Sequence, residues 1–273
     1  MQSKRNCWPA PCTDRIALLN RGIAADPDSA LLHYVKSKTL SDVGRLEEAI
    51  ESARRAVDLN PASTVYRQQF ISALAYGGYR ATAEEALKEA ERIWPDSRNI
   101  QDIRARFDLR FGDPNRLLGA ISSGTQVPYM PMQWSNAMFR AVLLARAQPT
   151  HENVAAAIAT SMRIPGNPNP HVVLQNLVAL GAIDQAYTVA TNPRALNALR
   201  SGGTEILFRA NMRAFRLDRR FMAVADKVGL VRFWQSSGMW PDFCFDRTLP
   251  YDCKAEIRRL HSARSATPSA PHS

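Results

Sequence analysis

The sequence predicts an all-α fold, a right-handed solenoid of helical hairpins closed by a helical C-terminal cap. Two observations carry this. Pro27, Pro61 and Pro95 are spaced by 34 residues each time, and Gly44, Gly78 and Gly112 keep the same interval. Between these markers the apolar residues recur at helical 3–4 spacing, as in Leu46, Ala49, Ile50, Ala53, Ala56 and Val57. A fixed period of this length marks a stacked array in which each unit buries its apolar face against the next.

Each marker has a local reason. Glycine eases the turn between the two helices of a hairpin, where a positive φ costs it little. Proline ends the second helix, because the residue before it is pushed out of helical geometry. The small residues Ala49 and Ala83, and Ala56 and Ala90, share one phase and permit close helix approach. Residues 1–13 are expected to be irregular, with Asp14 to Ala25 forming the second helix of a shortened first unit. Residues 14–129 carry the regular repeats. The unit at about 98–122 keeps Gly112, and Pro128-Tyr129-Met130-Pro131 replaces its closing motif. Beyond it the period fades, and 130–203 read as degenerate hairpins: Trp134 to Ala147 with Glu152 to Met162, then Val172 to Leu180 with Ile183 to Thr191. Pro149, the segment Pro165 to Pro170, and Asn192-Pro193 punctuate them. A cap is expected over 204–260, opening with a helix from Thr204 to Arg216 and packing on the hairpin around 172–191. Trp240-Pro241 and Tyr251 should fold the terminal loop over that hairpin. Residues 261–273, rich in Ser, Ala and Pro, should form a disordered tail.

Composition narrows the function. The 273 residues are 45% hydrophobic and 22% charged, ordinary for a globular chain. The longest apolar run, Val154 to Ala159, is far short of the roughly 20 residues of a membrane helix, so no span is expected. Net charge is +10 and rises along the chain, from +1 over residues 1–100 to +4 over 101–200 and +5 over 201–273. Only six of the 35 basic residues are Lys. Scattered Arg on Ala-rich helices reads as a solvated face, so we expect no direct nucleic-acid binding. Met1 to Cys7 carry positive charge without the apolar stretch of a secretory signal.

Gly44/Ala49/Ala56/Pro61 and Gly78/Ala83/Ala90/Pro95 together resemble the tetratricopeptide repeat (TPR). Ile71 departs from it, standing where the family usually has a small residue. The resemblance implies a concave groove lined by the first helix of each hairpin, facing Leu31, Tyr34, Lys38, Ser41, Val65, Gln68, Ser72, Asn99, Asp102, Arg106 and Arg110. The Lys/Asn/Arg set with which chaperone-binding members hold a carboxylate is replaced, with Tyr34 and Gln68 at its positions. Tyr34, Lys38, Gln68, Arg106 and Arg110 are the candidate partner-binding residues, suited to a protein or peptide through ring stacking and Arg forks on acidic side chains.

The segment Phe233-Trp234, then Trp240-Pro241-Asp242-Phe243-Cys244, resembles the C-terminal part of bacterial TPR proteins, including TPR regions of CadC-like winged-helix regulators. That resemblance implies an interaction region, since no strand-rich DNA-binding head is present. Cys7 and Cys12 lie near one end and Cys244 and Cys253 near the other, and three readings are open for them. Free thiols suit a cytoplasmic chain beginning at Met1. A zinc site has poor support in Cys-x4-Cys and Cys-x8-Cys spacings. Disulfides, Cys244 with Cys253 and Cys7 with Cys12, are what the CadC-like resemblance implies, with a periplasmic location in a longer membrane-tethered regulator.

Catalytic chemistry finds no footing. His33, His151, His171, His261 and His272 form no metal-ligand pair, and there is no nucleophile elbow and no P-loop. Gly202-Gly203 before a helix reads as a hinge and not a phosphate cradle. We therefore expect no enzyme, no cofactor and no metal. The expected function is a protein-interaction scaffold binding in the groove, with the sensing or effector region of a transcriptional regulator as the alternative.

Overall fold

A computed structural model describes residues 10–123, 135–163 and 170–265. Among these every regular element is helical, and the helices run as antiparallel hairpins stacked into an all-α solenoid. In chain order they are α1 (Ala10–Ala25), α2 (Ala30–Asp42), α3 (Leu46–Leu59), α4 (Thr64–Gly77), α5 (Arg80–Ile93), α6 (Arg98–Arg110), α7 (Pro114–Ser122), α8 (Ser135–Ala147), α9 (His151–Arg163), α10 (Pro170–Ala179), α11 (Ile183–Ala190), α12 (Pro193–Arg200), α13 (Arg213–Arg216), α14 (Arg220–Lys227), α15 (Leu230–Ser237) and α16 (Cys253–Ser265). Short 3₁₀ turns occupy Thr204–Leu207, Ala210–Met212 and Asp242–Phe245.

The 34-residue period is written into the turns between hairpins. Ser29, Ser63 and Ser97 each donate a backbone N–H to the carbonyl three residues back, of Asp26, Asn60 and Trp94, at 3.1–3.3 Å. Pro27, Pro61 and Pro95 take the second position of these turns, where their fixed φ is already correct. The serines then open α2, α4 and α6 with extended backbone, and the Ser63 hydroxyl accepts the Tyr66 N–H. Inside the hairpins, Gly44 and Gly78 sit at φ +85° and +96°, as a left-handed turn requires. Ala49, Ala53, Ala56, Ala83 and Ala90 are buried between helices. Gly112 keeps the phase for a different reason. Its φ is not positive, and a Cβ there would strike the Asp108 carboxylate and approach the Asp108 Cα to 2.9 Å.

Several expectations are corrected. Helix α1 begins at Ala10, not Asp14, with Pro11 in its first turn where the missing N–H costs nothing. Asn192-Pro193 ends α11 and also starts α12, because the Asn192 side chain accepts the Arg194 N–H at 2.9 Å and Pro193 suits a helix start. Thr204 to Arg216 is not one helix. Arg209 is extended at φ −55°, ψ 147°, and the buried Arg216 guanidinium takes the Leu207 and Arg209 carbonyls at 2.8 and 2.9 Å. Phe208, Met212 and Phe215 are all buried, but on successive short turns and not on one helical face. Residues 261–265, expected to belong to a disordered tail, lie in α16, which runs to Ser265. Asp252 starts it by accepting the Ala255 N–H at 2.7 Å, and Ile257 anchors it in the core. Pro128 to Pro131, 165–169, 266–273 and Cys7 lie outside the described residues, as does the side chain of Cys12.

The terminal loop also docks elsewhere than expected. The cap does meet α11, where Tyr187 stacks on Phe215 at 4.2 Å and donates its hydroxyl to the Phe215 carbonyl. Trp240-Pro241, however, reaches the first full hairpin, α2–α3. The carbonyls of Asp42, Val43 and Gly44, orphaned at the end of α2, accept from the Thr204 hydroxyl (2.7 Å), Trp234 Nε1 (3.0 Å) and the Asp242 N–H (3.0 Å). In return the Asp242 carboxylate accepts the Glu47 N–H at 3.0 Å in the first turn of α3, whose own N-cap residue, Arg45, makes no side-chain cap. Arg45 donates to the Trp240 carbonyl at 2.9 Å. Phe243 inserts among Phe208, Phe221 and Trp234. Cys244 and Cys253 are joined by a disulfide, with Cα atoms 5.8 Å apart. One apolar core therefore runs from Leu40, Val43 and Leu46 through the cap to Leu174 and Leu177, and a second fills α4–α6 around Ile71, Leu87, Ile100 and Phe107.

Candidate functional site

The first helices of the hairpins, α2, α4 and α6, each turn a polar stripe to one side. Tyr34 and Lys38 lie one turn apart on α2, Gln68 and Ser72 one turn apart on α4, and Arg106 on α6. These stripes line a cavity of about 560 Å³. Its opposite wall comes from the cap, through Ser201, Gly202, Gly203, Glu205 and Arg209, and Arg15 of α1 adds to the rim.

The wall is pinned. Thr204 holds α2 as described, and the Arg209 guanidinium lies 4.1 Å from the Tyr76 ring centroid. Arg209 also donates to Gln175 on α10 at 3.1 Å and to Glu205 at 3.0 Å. Gly202 and Gly203 take φ of +112° and +139°. A Cβ on Gly203 would come within 2.6 Å of the His171 ring, whose pKa burial holds below the usual histidine value. The glycine pair is thus a backbone bend packed on an imidazole.

Four cationic side chains, Arg15, Lys38, Arg106 and Arg209, and two carboxylates, Asp42 and Glu205, line the cavity. Lys38 stands 5.6 Å from the centroid of the Tyr34 ring, which in turn packs on Tyr66 at 5.2 Å. Lys38 makes no ion pair, and the Gln68 amide no hydrogen bond, among the described residues. Its neighbour Gln69 is committed inward, donating to the Ser37 hydroxyl at 3.1 Å.

Of the five candidate residues, Tyr34, Lys38, Gln68 and Arg106 share this cavity. Arg110 does not line it. It donates to the Asn176 side chain at 2.6 Å and lines a smaller crevice toward α10. Among the predicted groove positions Asn99 bonds to the Thr64 hydroxyl at 2.9 Å, whereas Leu31 is exposed. Arg15, Glu205 and Arg209 were not legible as site residues. Arg15 belongs to the shortened first unit, and the other two come from the C-terminal part of the chain, far in sequence from the repeat helices that line the rest of the cavity. Among the described residues no cluster of His, Cys, Asp and Glu is placed to hold a metal, and no helix is long and apolar enough to cross a membrane.

No protein family matches the chain, and no curated protein matches it either. Among solved structures it is similar to the crystal structure of yeast Tom70, at 14% identity and a TM-score of 0.37 over 92% of this chain. The match covers 46% of that structure, so the chain spans about half its length.

Proposed function

We propose that this protein is a non-enzymatic interaction scaffold whose partner enters the cavity between α2, α4 and α6. The observation that carries this reading is a polar, cation-lined concavity in which, among the described residues, Lys38 makes no ion pair and the Gln68 amide no hydrogen bond. An exposed Lys38 and a half-buried Gln68, held on helices, can pair with a partner without first breaking internal bonds. The adjoining Tyr34 ring and Val65 supply apolar contact, and rings are effective anchors at interfaces.

Affinity capture with the full chain, read by mass spectrometry, tests the proposal when two variants run beside it. Gln68→Trp fills the cavity. Arg54→Glu changes charge on the exposed outer face of α3. A specific partner retained by Arg54→Glu and lost by Gln68→Trp is the expected result. A partner retained equally by both variants places binding elsewhere and overturns the reading.

A further inference from the structure

We infer that a second cavity, between the cap and the turns after α2 and α4, binds a small zwitterion of the amino-acid class, with its carboxylate on Arg216 and its ammonium beside Glu47 and Asp242. This cavity is not the one in the scaffold reading, and the inference does not rest on that reading.

The carboxylate position follows from Arg216. The cavity measures about 210 Å³, with Gly44 and Gly77 on the side of the hairpin turns and Phe208, Ala210 and Phe243 on the side of the cap. Arg216 reaches it from α13 and is 7% exposed. Burial pulls its pKa down to about 10, so the guanidinium stays charged at neutral pH. Both Nη1 hydrogens are committed, to the Leu207 and Arg209 carbonyls at 2.8 and 2.9 Å. These are neutral acceptors, and among the described residues no carboxylate forms an ion pair with Arg216. Its Nε and Nη2 make no hydrogen bond there, yet neither atom is sealed in the interior. Those two nitrogens form one edge of the planar group, an edge that takes a carboxylate through two parallel bonds. A buried cation without a counter-ion is costly, and a carboxylate in this cavity supplies one.

The rest of the lining disfavours a simple anion. Glu47, Asp242 and Asp246 face the same space as Arg213 and Arg216, so carboxylates outnumber guanidiniums there. Asp246 is held by Arg213 at 3.3 Å and by the Thr248 N–H at 2.9 Å. Asp242 accepts the Glu47 N–H at 3.0 Å, with Arg45 at 3.9 Å. Glu47 accepts only the neutral Tyr79 hydroxyl, at 2.9 Å, and has no cationic partner among the described residues. A ligand ammonium completes Glu47 as a ligand carboxylate completes Arg216. An anion alone is repelled by the acidic wall, and a cation alone by the two arginines. Leu46, Leu217 and Leu249 make part of the remaining wall apolar, which suits an aliphatic side chain. The volume corresponds to about seven waters at roughly 30 Å³ each, the scale of a single amino acid.

The test is equilibrium dialysis of the intact protein against radiolabelled L-alanine, L-valine and L-leucine. We expect saturable binding of at least one of them. The amide of that amino acid, which lacks the carboxylate, and its deaminated acid, which lacks the ammonium, should each compete at least tenfold less well. Arg216→Met and Glu47→Gln should each weaken binding at least tenfold. Arg216 also holds the turn at 207–209, so the exposed Glu47→Gln decides the matter if Arg216→Met does not fold. Glu85→Gln, the same change on the exposed face of α5, and Gln68→Trp in the other cavity should leave affinity within twofold. Several outcomes overturn the inference: no saturable binding of any of the three, unchanged affinity in Glu47→Gln, equal loss in Glu85→Gln or Gln68→Trp, or either analogue competing as well as the amino acid. The scaffold reading expects Gln68→Trp to lose a partner, whereas amino-acid binding should survive that variant, so the two readings fail separately.

Discussion

A Cβ placed on Gly44 would sit 2.7 Å from the Pro241 Cβ and 2.8 Å from the Phe208 ring, whereas one on Gly78 would meet only the Ala210 Cβ, at 3.6 Å. Both backbones have positive φ, so alanine pays a left-handed penalty of about 1–2 kcal/mol at either site. Gly44→Ala adds overpacking against the docked cap, roughly another 1–3 kcal/mol. Urea unfolding should therefore rank Gly44→Ala well below Gly78→Ala, and equal losses would contradict the docking. Asp108 offers a second test at this scale. Its side chain is 1% exposed, lies 3.1 Å from Arg116 and 3.5 Å from Arg104, and burial pushes its pKa above the model-compound value of 3.8. A carboxyl raised in the folded state binds its proton more tightly there than in the unfolded chain. Its contribution to stability is therefore greatest at low pH and falls as pH rises from about 3.8 through the raised value. The stability difference between wild type and Asp108→Asn, measured from pH 3 to 7, should shift against wild type across that window, and a flat difference would remove the assignment. Residues of this kind show what the sequence discloses singly. Gly44 and Gly78 were legible because a turn conformation is a local demand. Gly112 stands in the same phase, but the carboxylate that requires it could be seen only once α6 was folded.

Helix α3 carries Glu47 and Glu48 in its first turn, which suits its dipole, yet it takes its N-cap from a residue 195 positions away. Asp242→Ala should cost about 1 kcal/mol, within the usual 0.5–2 kcal/mol for a lost cap. It should also speed amide exchange at Glu47 before the rest of α3. Uniform exchange along the helix would show that the carboxylate does not cap it. The packed faces of the hairpins give a larger signal. Ala49 and Ala83 are fully buried between helices, so Ala49→Arg or Ala83→Arg combines overpacking with a buried charge and should cost several kcal/mol. Arg at the exposed Glu85 should stay within about 0.5 kcal/mol. Matching melting temperatures would break the assigned phase. The hairpins were legible because period, small residues and turn prolines all express short-range constraints. The stretch 204–216 was not, because its short turns are shaped by Arg216 pulling in two carbonyls and by apolar residues that the surrounding helices bury on every side. Its 3–4 spacing alone matched a helix equally well.

At the scale of the molecule the solenoid is closed on itself, and each residue of Trp240-Pro241-Asp242-Phe243-Cys244 has a place in the closure. Trp240 offers its carbonyl to Arg45, Pro241 packs toward Gly44, Asp242 serves both α2 and α3, Phe243 joins the aromatic cluster, and Cys244 ties the loop to α16. A sequence read by period finds contacts between neighbours. It has no means to find bonds spanning 162 to 195 residues, so the cap was legible as a cap but its dock was not. The Thr204 bond also holds the cap side of the cavity wall, which explains why Ser201, Gly202, Gly203, Glu205 and Arg209 were invisible from the repeats. Closure has an energetic signature. The disulfide restricts a loop with a sequence separation of 9, which the loop-entropy account values at about 2–3 kcal/mol. Cys244→Ser with Cys253→Ser should lower global stability by about that much while α2–α3 keeps its relative protection, since the hydrogen bonds and aromatic cluster remain. Removing residues 204–273 goes further. It uncovers the carbonyls of Asp42, Val43 and Gly44 together with the apolar side chains of Leu40, Val43 and Leu46, at the opposite end of the chain from the cut. Hydrogen exchange on the truncated protein should then show lost protection in α2–α3 as well as in α10–α11, with increased dye binding. Loss confined to α10–α11, the sequence neighbours of the deleted segment, would mean that the first hairpin is stable without the cap and that the solenoid is in effect open.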